Sequence, residues 1–363
     1  MYSIVNPQEP RESYDAPPRQ RRSLFKLLAW LIALAVVGYI GYVGYHFASA
    51  YRTIVIDSNE GASNWERALC LFKKCADSQK EIEDDQNPVP PEEANRFDIL
   101  ILGIRGEDDL ADGGLLTDTM MLLSVDKATG RTALVSLPRD LYIDMKGTLV
   151  NGSVFQVKGK LNEVYERGYE NQQGLAFASQ MISRLTGVRV DKAVLFDFKA
   201  FGEIVDALGG VDVYLDKPFS EPKQWGYPFT LPAGANHLNG EQALYYVRSR
   251  YSSSDFDRAR RQQQVMFAMK KRATELGFLA NPVKVSNLLT SLKGNLKTNI
   301  QLWEVGDMVN LAKKLSANTP KTSVISTDNL LYETKGIHGE YILLPKGENF
   351  TLLRDYFKTV LAQ

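Results

Sequence analysis

The 363-residue chain contains only two cysteines and three histidines. Two cysteines exclude a disulfide-dense scaffold and a metal site made of four thiolates. The histidines, His46, His237 and His338, are too scattered to suggest a zinc cluster by their spacing. The formal net charge is zero, so the chain as a whole offers no basic field for nucleic acid. Any recognition of an anion must therefore come from a local group of residues.

One long hydrophobic run is present. Residues 24–47 are almost wholly apolar, and about 20 such residues are enough to cross a bilayer. Basic residues cluster at its N-terminal side, namely Arg19, Arg21, Arg22 and Lys26. This bias predicts a cytoplasmic N-terminus and an exported remainder. A cleaved signal peptide is the alternative, because small residues follow at 48–50, but the run is longer than the usual signal core. We therefore expect a single-pass anchor in the cell membrane.

The segments beside this run are polar. Residues 1–23 are rich in proline and predict a short disordered cytoplasmic tail. Residues 48–95 mix charge with a proline cluster, which predicts an extracytoplasmic stalk. Cys70 and Cys75 lie in this stalk, and their spacing leaves open whether they pair.

The rest of the chain has an α/β pattern. Short apolar runs bounded by turn residues predict buried strands at 97–102, 119–125, 132–137, 190–196 and 211–215. Helical patterns occupy 198–208, 239–246, 257–276, 283–292 and 302–315. The run from 190 to 215 predicts a strand-helix-strand unit. We assign residues 96–316 to one layered α/β domain and residues 317–363 to a C-terminal α/β extension packed on it.

Arginine is concentrated in one stretch. Five arginines fall within residues 248–261, in an otherwise neutral chain. On the helix, Arg258, Arg261, Gln262 and Val265 form a single stripe. Guanidinium forks that converge from two directions suit a pyrophosphate, because bidentate bonds can spread over its oxygens. A solvated cationic face with local acidic partners is the alternative.

Two further residues flank predicted strands. Arg139 follows the 132–137 strand, and sites in open α/β sheets form beyond the carboxyl ends of strands. Asp118 directly precedes the 119–125 strand, with an acidic run upstream that includes Glu107, Asp108 and Asp109. Such carboxylates suit Mg²⁺, which prefers oxygen ligands and shares them with substrate phosphates. An acidic loop merely exposed to water fits this pattern equally well.

Short motifs that include these residues occur in a specific order along the chain. The motifs are Leu100-Ile101-Leu102-Gly103, Thr117-Asp118-Thr119, Pro138-Arg139-Asp140, Lys160-Leu161-Asn162, Asp206-Ala207-Leu208-Gly209-Gly210-Val211, Leu238-Asn239-Gly240-Glu241-Gln242-Ala243-Leu244, Arg248-Ser249-Arg250, and the residues from Asp255 to Gln263. In this order and spacing, the sequence resembles the LytR-CpsA-Psr family of cell-wall glycopolymer transferases. The resemblance covers residues 97 to about 315.

The resemblance implies a three-layer α/β/α sandwich with a central mixed sheet and an apolar groove for a polyprenyl chain. It implies transfer of a glycopolymer phosphate from a polyprenyl-pyrophosphate carrier to a peptidoglycan or other envelope hydroxyl. It also implies that Asp118 and Arg139 are catalytic, with Asp118 binding Mg²⁺ or helping to activate the hydroxyl. The implied pyrophosphate-binding residues are Arg139, Arg248, Arg250, Arg258 and Gln262, with Arg131 at a less regular basic position. For the lipid groove, our candidates are Phe196, Phe198, Phe201 and Val265.

Arg105 is a departure from the family pattern, in which relatives usually carry an aspartate at this position. A guanidinium there removes one metal ligand and adds a positive charge. Either Glu107, Asp108 or Asp109 restores the Mg²⁺ site, or Arg105 itself neutralises substrate phosphate. We expect compensation by the acidic run, because an unpartnered Asp118 would repel pyrophosphate.

Two other functions share most of these features. A non-catalytic membrane protein could bind polyprenyl phosphate or the wall, and a pyrophosphatase could release the polymer into water. Retention of Asp118 beside the arginine cluster favours the transferase. No helix-turn-helix with basic flanks is present in the sequence, so we expect no nucleic-acid partner.

Overall fold

The computed structural model describes residues 89–148, 154–169, 173–277, 281–301, 320–347 and 349–361, together with a few positions at 39–49 and 304–308. The predicted tail, most of the predicted anchor at 24–47, most of the stalk with Cys70 and Cys75, and most of the helix predicted at 302–315 lie outside these residues. Within the described part of the chain, no helix has the length and apolar character needed to cross a membrane. The chain divides into two units, Met1–His46 and Phe47–Gln363.

The second unit alternates strands and helices. The strands are β1 Arg96–Gly103, β2 Thr119–Asp126, β3 Thr132–Ser136, β4 Tyr142–Thr148, β5 Val154–Lys160, β6 Lys192–Phe196, β7 Val211–Leu215, β8 Phe219–Glu221, β9 Phe229–Leu231, β10 Gly234–Leu238, β11 Leu296–Thr298, β12 Lys321–Val324, β13 Leu331–Lys335 and β14 Tyr341–Pro345. The helices are α1 Val164–Tyr169, α2 Gly174–Thr186, α3 Phe198–Ala207, α4 Gly240–Arg248, α5 Asp255–Glu275, α6 Pro282–Ser291 and α7 Thr351–Thr359.

The central sheet is mixed, which confirms the predicted α/β class. Its strand order is β11-β6-β1-β2-β3-β12. Strand β1 pairs antiparallel with β2 and parallel with β6, and β12 pairs parallel with β3. Four of the predicted strands, at 97–102, 119–125, 132–137 and 190–196, are β1, β2, β3 and β6.

Helices cover both faces of this sheet. Along β1, Leu100 and Leu102 belong to the main core, which also contains residues of α2 and α7. The intervening Ile101 belongs to a second cluster, on which Met266 and Phe267 of α5 pack. Successive side chains of a strand point to opposite faces. A strand that is buried on both faces reads as a continuous apolar run, which is why β1 could be predicted from its sequence.

The strand-helix-strand prediction for 190–215 is correct in its elements and wrong in its pairing. Strand β7 does not join β6 in the central sheet but pairs antiparallel with β10. Its alternation explains the difference, because β7 exposes Asp212 and Tyr214 while it buries the residues between them. A strand inside the central sheet would be covered on both faces. Strands β7 to β10 instead form a smaller hydrophobic cluster with α3, α4 and α5.

The C-terminal residues are built into the same core. Strand β12 bonds to the edge of the central sheet beside β3. Leu353 and Phe357 of α7 are almost fully buried in the main core. The Arg96 side chain, on β1, donates to the carbonyl oxygen of Phe357 at 2.8 Å. The chain after residue 320 therefore contributes a strand to the central sheet and a helix to its main core.

Asp191 is a partly buried carboxylate next to this core. Its Oδ2 accepts the backbone N–H of Asp98 at 2.8 Å. Burial and the nearby charges of Asp98 and Glu92 raise the pKa of Asp191 to about 6. At pH values between the ordinary aspartate pKa and about 6, the folded protein holds a proton on Asp191 that the unfolded chain has lost. The free energy of unfolding attributable to this group therefore falls as the pH rises from about 4 to about 6.

We predict that Asp191→Asn raises the free energy of unfolding at pH 7 by about 1 kcal/mol and has a smaller effect near pH 4. An asparagine oxygen still accepts the Asp98 N–H, and the buried charge is gone. Chemical denaturation at both pH values measures the change, with the exposed Asp216→Asn as the control. An effect that is equal at the two pH values, or a loss of stability at pH 7, would contradict the assignment.

Candidate functional site

A cavity of about 340 Å³ opens at one edge of the central sheet. Gly103, at the end of β1, and Thr119, at the start of β2, both line it and face each other in the β1–β2 register. Five of the lining residues are arginines, contributed by three separate parts of the chain: Arg105, Arg139, Arg248, Arg250 and Arg258. Among the described lining residues Asp118 is the only carboxylate. The cavity is therefore strongly positive.

Asp118 and two arginines form the inner side of the cavity. Arg139 Nη1 donates to Asp118 Oδ1 at 2.6 Å. Arg258 Nη2 donates to the Asp118 carbonyl oxygen at 3.0 Å and lies 2.9 Å from Oδ1 of Asp255. Arg258 is 4% exposed, so water screens these charges weakly.

The pKa of Asp118 is lowered. Burial alone raises the pKa of this carboxyl, but the charges of Arg258 and Arg139 outweigh the burial. The same interaction raises the pKa of Arg139, although burial opposes it. Asp118 is thus ionised at neutral pH, and it fixes the direction of the two guanidinium groups.

Arg248 and Arg250 approach from the end of α4. This helix begins with a capping box, in which Asn239 accepts from the Gln242 N–H and Gln242 from the Asn239 N–H. The Arg248 guanidinium lies 3.9 Å from the centre of the Phe198 ring, on α3, and 5.0 Å from that of Trp225. Burial first, and repulsion by Arg105 second, lower the pKa of Arg248.

The loop after α4 is held by polar residues of the β8–β9 hairpin. Gln224 Nε2 donates to the Arg248 carbonyl oxygen at 3.1 Å. Its Oε1 accepts the Arg250 N–H at 2.8 Å. Glu221 Oε2 accepts the N–H groups of Tyr251 and Ser252. These contacts fix the backbone from which both arginines project.

The predicted helical stripe on α5 divides in two. Arg258 and Gln262 line the cavity, whereas Arg261 and Val265 do not. Arg261 donates to the carbonyl oxygens of Tyr246 and Ser249 and so supports the α4–α5 loop from inside. Val265 is fully buried in the smaller hydrophobic cluster, which removes it from the lipid-facing candidates.

One wall of the cavity is apolar. Three of the candidates for the lipid groove, Phe196, Phe198 and Phe201, line it together with Leu244, Val247 and Met266. The Phe196 and Phe201 rings are stacked with their centres 6.2 Å apart. A volume of about 340 Å³ lies at the small end of ligand sites, which span roughly 300–1,000 Å³. The space suits a headgroup and the first part of an apolar chain.

Arg131 does not join this group. It lies in the β2–β3 connection, where its Nη2 is 3.6 Å from Oδ2 of Asp126. Asp126 ends β2 and Thr119 begins it. At roughly 3.3 Å per residue these positions are about 23 Å apart. The structure therefore does not place Arg131 at the pyrophosphate site implied by the resemblance.

Of the acidic run, Glu107 and Asp108 do not assemble a metal site with Asp118. The Glu107 carboxylate pairs with Lys297, and neither Glu107 nor the exposed Asp108 lines the cavity. The side chain of Asp109 lies outside the described residues. Within the described ranges, no three His, Cys, Asp or Glu side chains are grouped to hold a metal ion. Asp118 faces guanidinium groups that repel a cation, so the described residues do not fit Mg²⁺.

Some lining residues received no role from the sequence. Gln224 and Trp225 lie between two short strands, where no periodic pattern marks them. Asn162 belongs to the Lys160-Leu161-Asn162 motif. Its backbone N–H donates to the Arg139 carbonyl oxygen and its own carbonyl accepts from the Thr117 N–H. The motif could have identified Asn162, because it links the chain segments on either side of the Asp118–Arg139 pair.

The sequence is similar to that of known proteins. The model of the LytR_cpsA_psr family matches residues 68–355. The chain is 31% identical over 207 residues to the polyisoprenyl-teichoic acid–peptidoglycan teichoic acid transferase TagU of Enterococcus faecalis, covering 56% of this chain and 61% of that protein. It is 29% identical over 234 residues to biofilm regulatory protein A of Streptococcus mutans, covering 62% of this chain and 53% of that protein. The chain thus spans between half and two thirds of the length of these relatives.

Solved structures share the fold. TagV of Bacillus subtilis superposes with a TM-score of 0.56 at 24% identity, covering 75% of this chain and 99% of that one. TagT bound to LIIa-WTA superposes with a TM-score of 0.57 at 21% identity, covering 79% and 98% of the two chains. At these identities the likeness concerns the fold alone.

Binding of inorganic pyrophosphate distinguishes the arginines that line the cavity from Arg131, which lies far from it. We predict that Arg250→Gln weakens binding about 10-fold or more, because a charge-assisted contact is lost. Arg131→Gln should bind as the wild type does. Isothermal titration calorimetry on the full chain measures both affinities. Equal weakening in the two variants would show that the effect is general charge rather than the cavity.

Proposed function

The chain belongs to the LytR_cpsA_psr family, and we propose that it moves a glycopolymer phosphate from a polyprenyl-pyrophosphate carrier to a hydroxyl of peptidoglycan or another envelope polymer. The observation that carries the proposal is the cavity itself, in which five arginines surround Asp118 beside a wall of phenylalanines. A lipid-linked pyrophosphate has the same two parts, an anionic group and an apolar chain. The names of relatives such as TagU describe a polyisoprenyl-linked donor and a peptidoglycan acceptor.

In the proposed step, the acceptor hydroxyl oxygen attacks the phosphorus atom that carries the glycopolymer. A phosphodiester forms, the bond from that phosphorus to the bridging oxygen breaks, and polyprenyl phosphate leaves while the hydroxyl proton passes to water. Phosphoryl transfer asks mainly for positioning and charge stabilisation. Arg139, Arg248, Arg250, Arg258 and Gln262 supply donors for the phosphate oxygens.

Asp118 acts chiefly by orienting these donors. A carboxylate with a lowered pKa is a weak base, and general bases work best with a pKa near the operating pH. Its contacts with Arg139 at 2.6 Å and with Arg258 through its carbonyl oxygen hold both guanidinium groups before substrate arrives. Preorganised charge of this kind is usually the largest contribution to such catalysis.

The lipid should enter along the apolar wall. Phe196, Phe198 and Phe201 would contact the first isoprene units, and burial of their surface favours binding. The proposal includes the single-pass anchor at residues 24–47, which would hold the domain at the outer face of the cell membrane where a lipid carrier resides. Helices on both faces of the sheet support the three-layer α/β/α arrangement implied by the resemblance.

Two alternatives differ in their products. A pyrophosphatase would release the glycopolymer phosphate into water, and a non-catalytic binding protein would leave the carrier intact. Incubation of the full chain in detergent with lipid-linked glycopolymer and peptidoglycan separates the three. Transfer gives polymer bound to peptidoglycan, hydrolysis gives free polymer phosphate, and binding alone gives neither.

We predict that Arg139→Ala and Arg248→Ala each lower the rate of transfer by roughly 30-fold to 1,000-fold, or about 2–4 kcal/mol, because each removes charge stabilisation from the transition state. The measurement is the initial rate of polymer attachment, with circular dichroism to show that each variant is folded. Arg167→Ala is the matched control, because this exposed arginine pairs with Glu163 and does not line the cavity. Near-normal transfer by both cavity variants would refute the assignment.

A further inference from the structure

Arg105 occupies the edge of the sheet next to Asp118. In the β1–β2 register Gly103 faces Thr119, and the Asp118 N–H donates to the Gly103 carbonyl oxygen at 3.0 Å. The chain then continues through Ile104 to Arg105, which is exposed and lines the cavity. The end of β1 thus brings a guanidinium beside the segment that carries the carboxylate.

Phe198 connects Arg105 with Arg248. Its backbone N–H donates to the Arg105 carbonyl oxygen at 3.4 Å, and its ring lies 3.9 Å from the Arg248 guanidinium. Repulsion between the two arginines contributes to the lowered pKa of Arg248. The two like charges therefore face the same cavity at a distance where they interact, and an anion between them would relieve the repulsion.

Three carboxylates in this part of the domain already have cationic partners. Asp118 accepts from Arg139, and Glu107 pairs with Lys297. Asp255 lies 2.9 Å from Arg258 Nη2. A divalent cation placed against Asp118 would therefore lie beside the Arg139 guanidinium that already contacts Oδ1, and the positive charges would repel each other.

We propose that Arg105, together with Arg248, binds the pyrophosphate of the substrate in place of a divalent cation. This rests on the proposed function for the identity of the substrate, although the binding itself can be measured separately. Each phosphate of a pyrophosphate diester carries a negative charge, and a planar guanidinium fork can bind its oxygens in pairs. The pair thus provides the neutralisation that Mg²⁺ gives to phosphates in other sites.

Binding is tested on the full chain in detergent after treatment with a chelator, with inorganic pyrophosphate as the probe and calorimetry as the readout. We expect the wild type to bind pyrophosphate in the chelator. Arg105→Gln should bind about 10-fold more weakly or worse, and Arg105→Lys should lie between the two because it keeps the charge and loses the fork. Arg167→Ala should bind as the wild type does.

A substitution that reverses the charge of Arg105 is the more discriminating test. Arg105→Asp places a second carboxylate near Asp118, and paired carboxylates are ligands that divalent cations accept. We expect this variant to gain binding of Mn²⁺, read by electron paramagnetic resonance, and the wild type to show none at the same concentration. Pyrophosphate binding by Arg105→Asp should be lost in the chelator and partly restored by Mg²⁺.

Three results would overturn the inference: wild-type binding of pyrophosphate that requires Mg²⁺, unchanged binding by Arg105→Gln, or Mn²⁺ binding by the wild type. Transfer assays on the same samples keep the proposed function separate. Metal-free binding that depends on Arg105, without transfer under any condition, would support the inference and refute the transferase. Transfer that occurs only with Mg²⁺ would support the transferase and refute the inference.

Discussion

The ion pair between Asp118 and Arg139, at 2.6 Å, is the interaction on which the site depends. It joins the residue before β2 to the segment after β3, and Arg258 reaches the same point from α5 through the Asp118 carbonyl oxygen. Removing charges from water is costly unless the pair is also hydrogen-bonded. Here Arg258 donates to the Asp118 carbonyl oxygen and lies beside the Asp255 carboxylate, while its buried Nε has no hydrogen-bond partner among the described residues, so the cations are held in place before any anion binds.

Helix α5 couples this pair to the rest of the domain. Ser254 caps its start and accepts the Asp257 N–H at 3.1 Å. Within two turns Arg258 points to the cavity, Arg261 supports the loop that carries Arg250, and Gln263 Nε2 donates to Ser136 Oγ at 2.8 Å and to the Ser323 carbonyl oxygen at 2.7 Å. One helix therefore fixes the position of the sheet, the arginine loop and the ion pair relative to one another.

Elements that have a local signal can be predicted from the sequence. The runs that became β1, β2, β3 and β6 are apolar because both faces of the central sheet are covered, and the capping box at Asn239 marks the start of α4. Helix α2 lacks a side-chain cap, so no cap motif in the sequence indicates where it begins. The pairing of β7 with β10 depends on contacts between segments, which periodicity does not report.

The same holds for the site, where residues in local motifs can be predicted and residues placed by packing or by distant contacts cannot. Ordered motifs brought together Asp118, Arg139 and the arginines of residues 248–258, which line one cavity. They could not separate Arg258 from Arg261, since both lie on one helical stripe and only the packing of α5 decides which of them is buried against backbone carbonyls. Arg131 lies at the far end of the strand from the cavity, and Gln224 enters the site through a contact with Arg250 that spans 26 residues.

The most direct test is a crystal structure of the chain after the predicted anchor, residues 48–363, with a polyprenyl pyrophosphate bound. The account predicts pyrophosphate oxygens within hydrogen-bonding distance of Arg139, Arg248 and Arg250, with the first isoprene units against Phe198 and Phe201. A pyrophosphate bound away from these arginines, or a lipid chain on the other side of the phenylalanine wall, would contradict it.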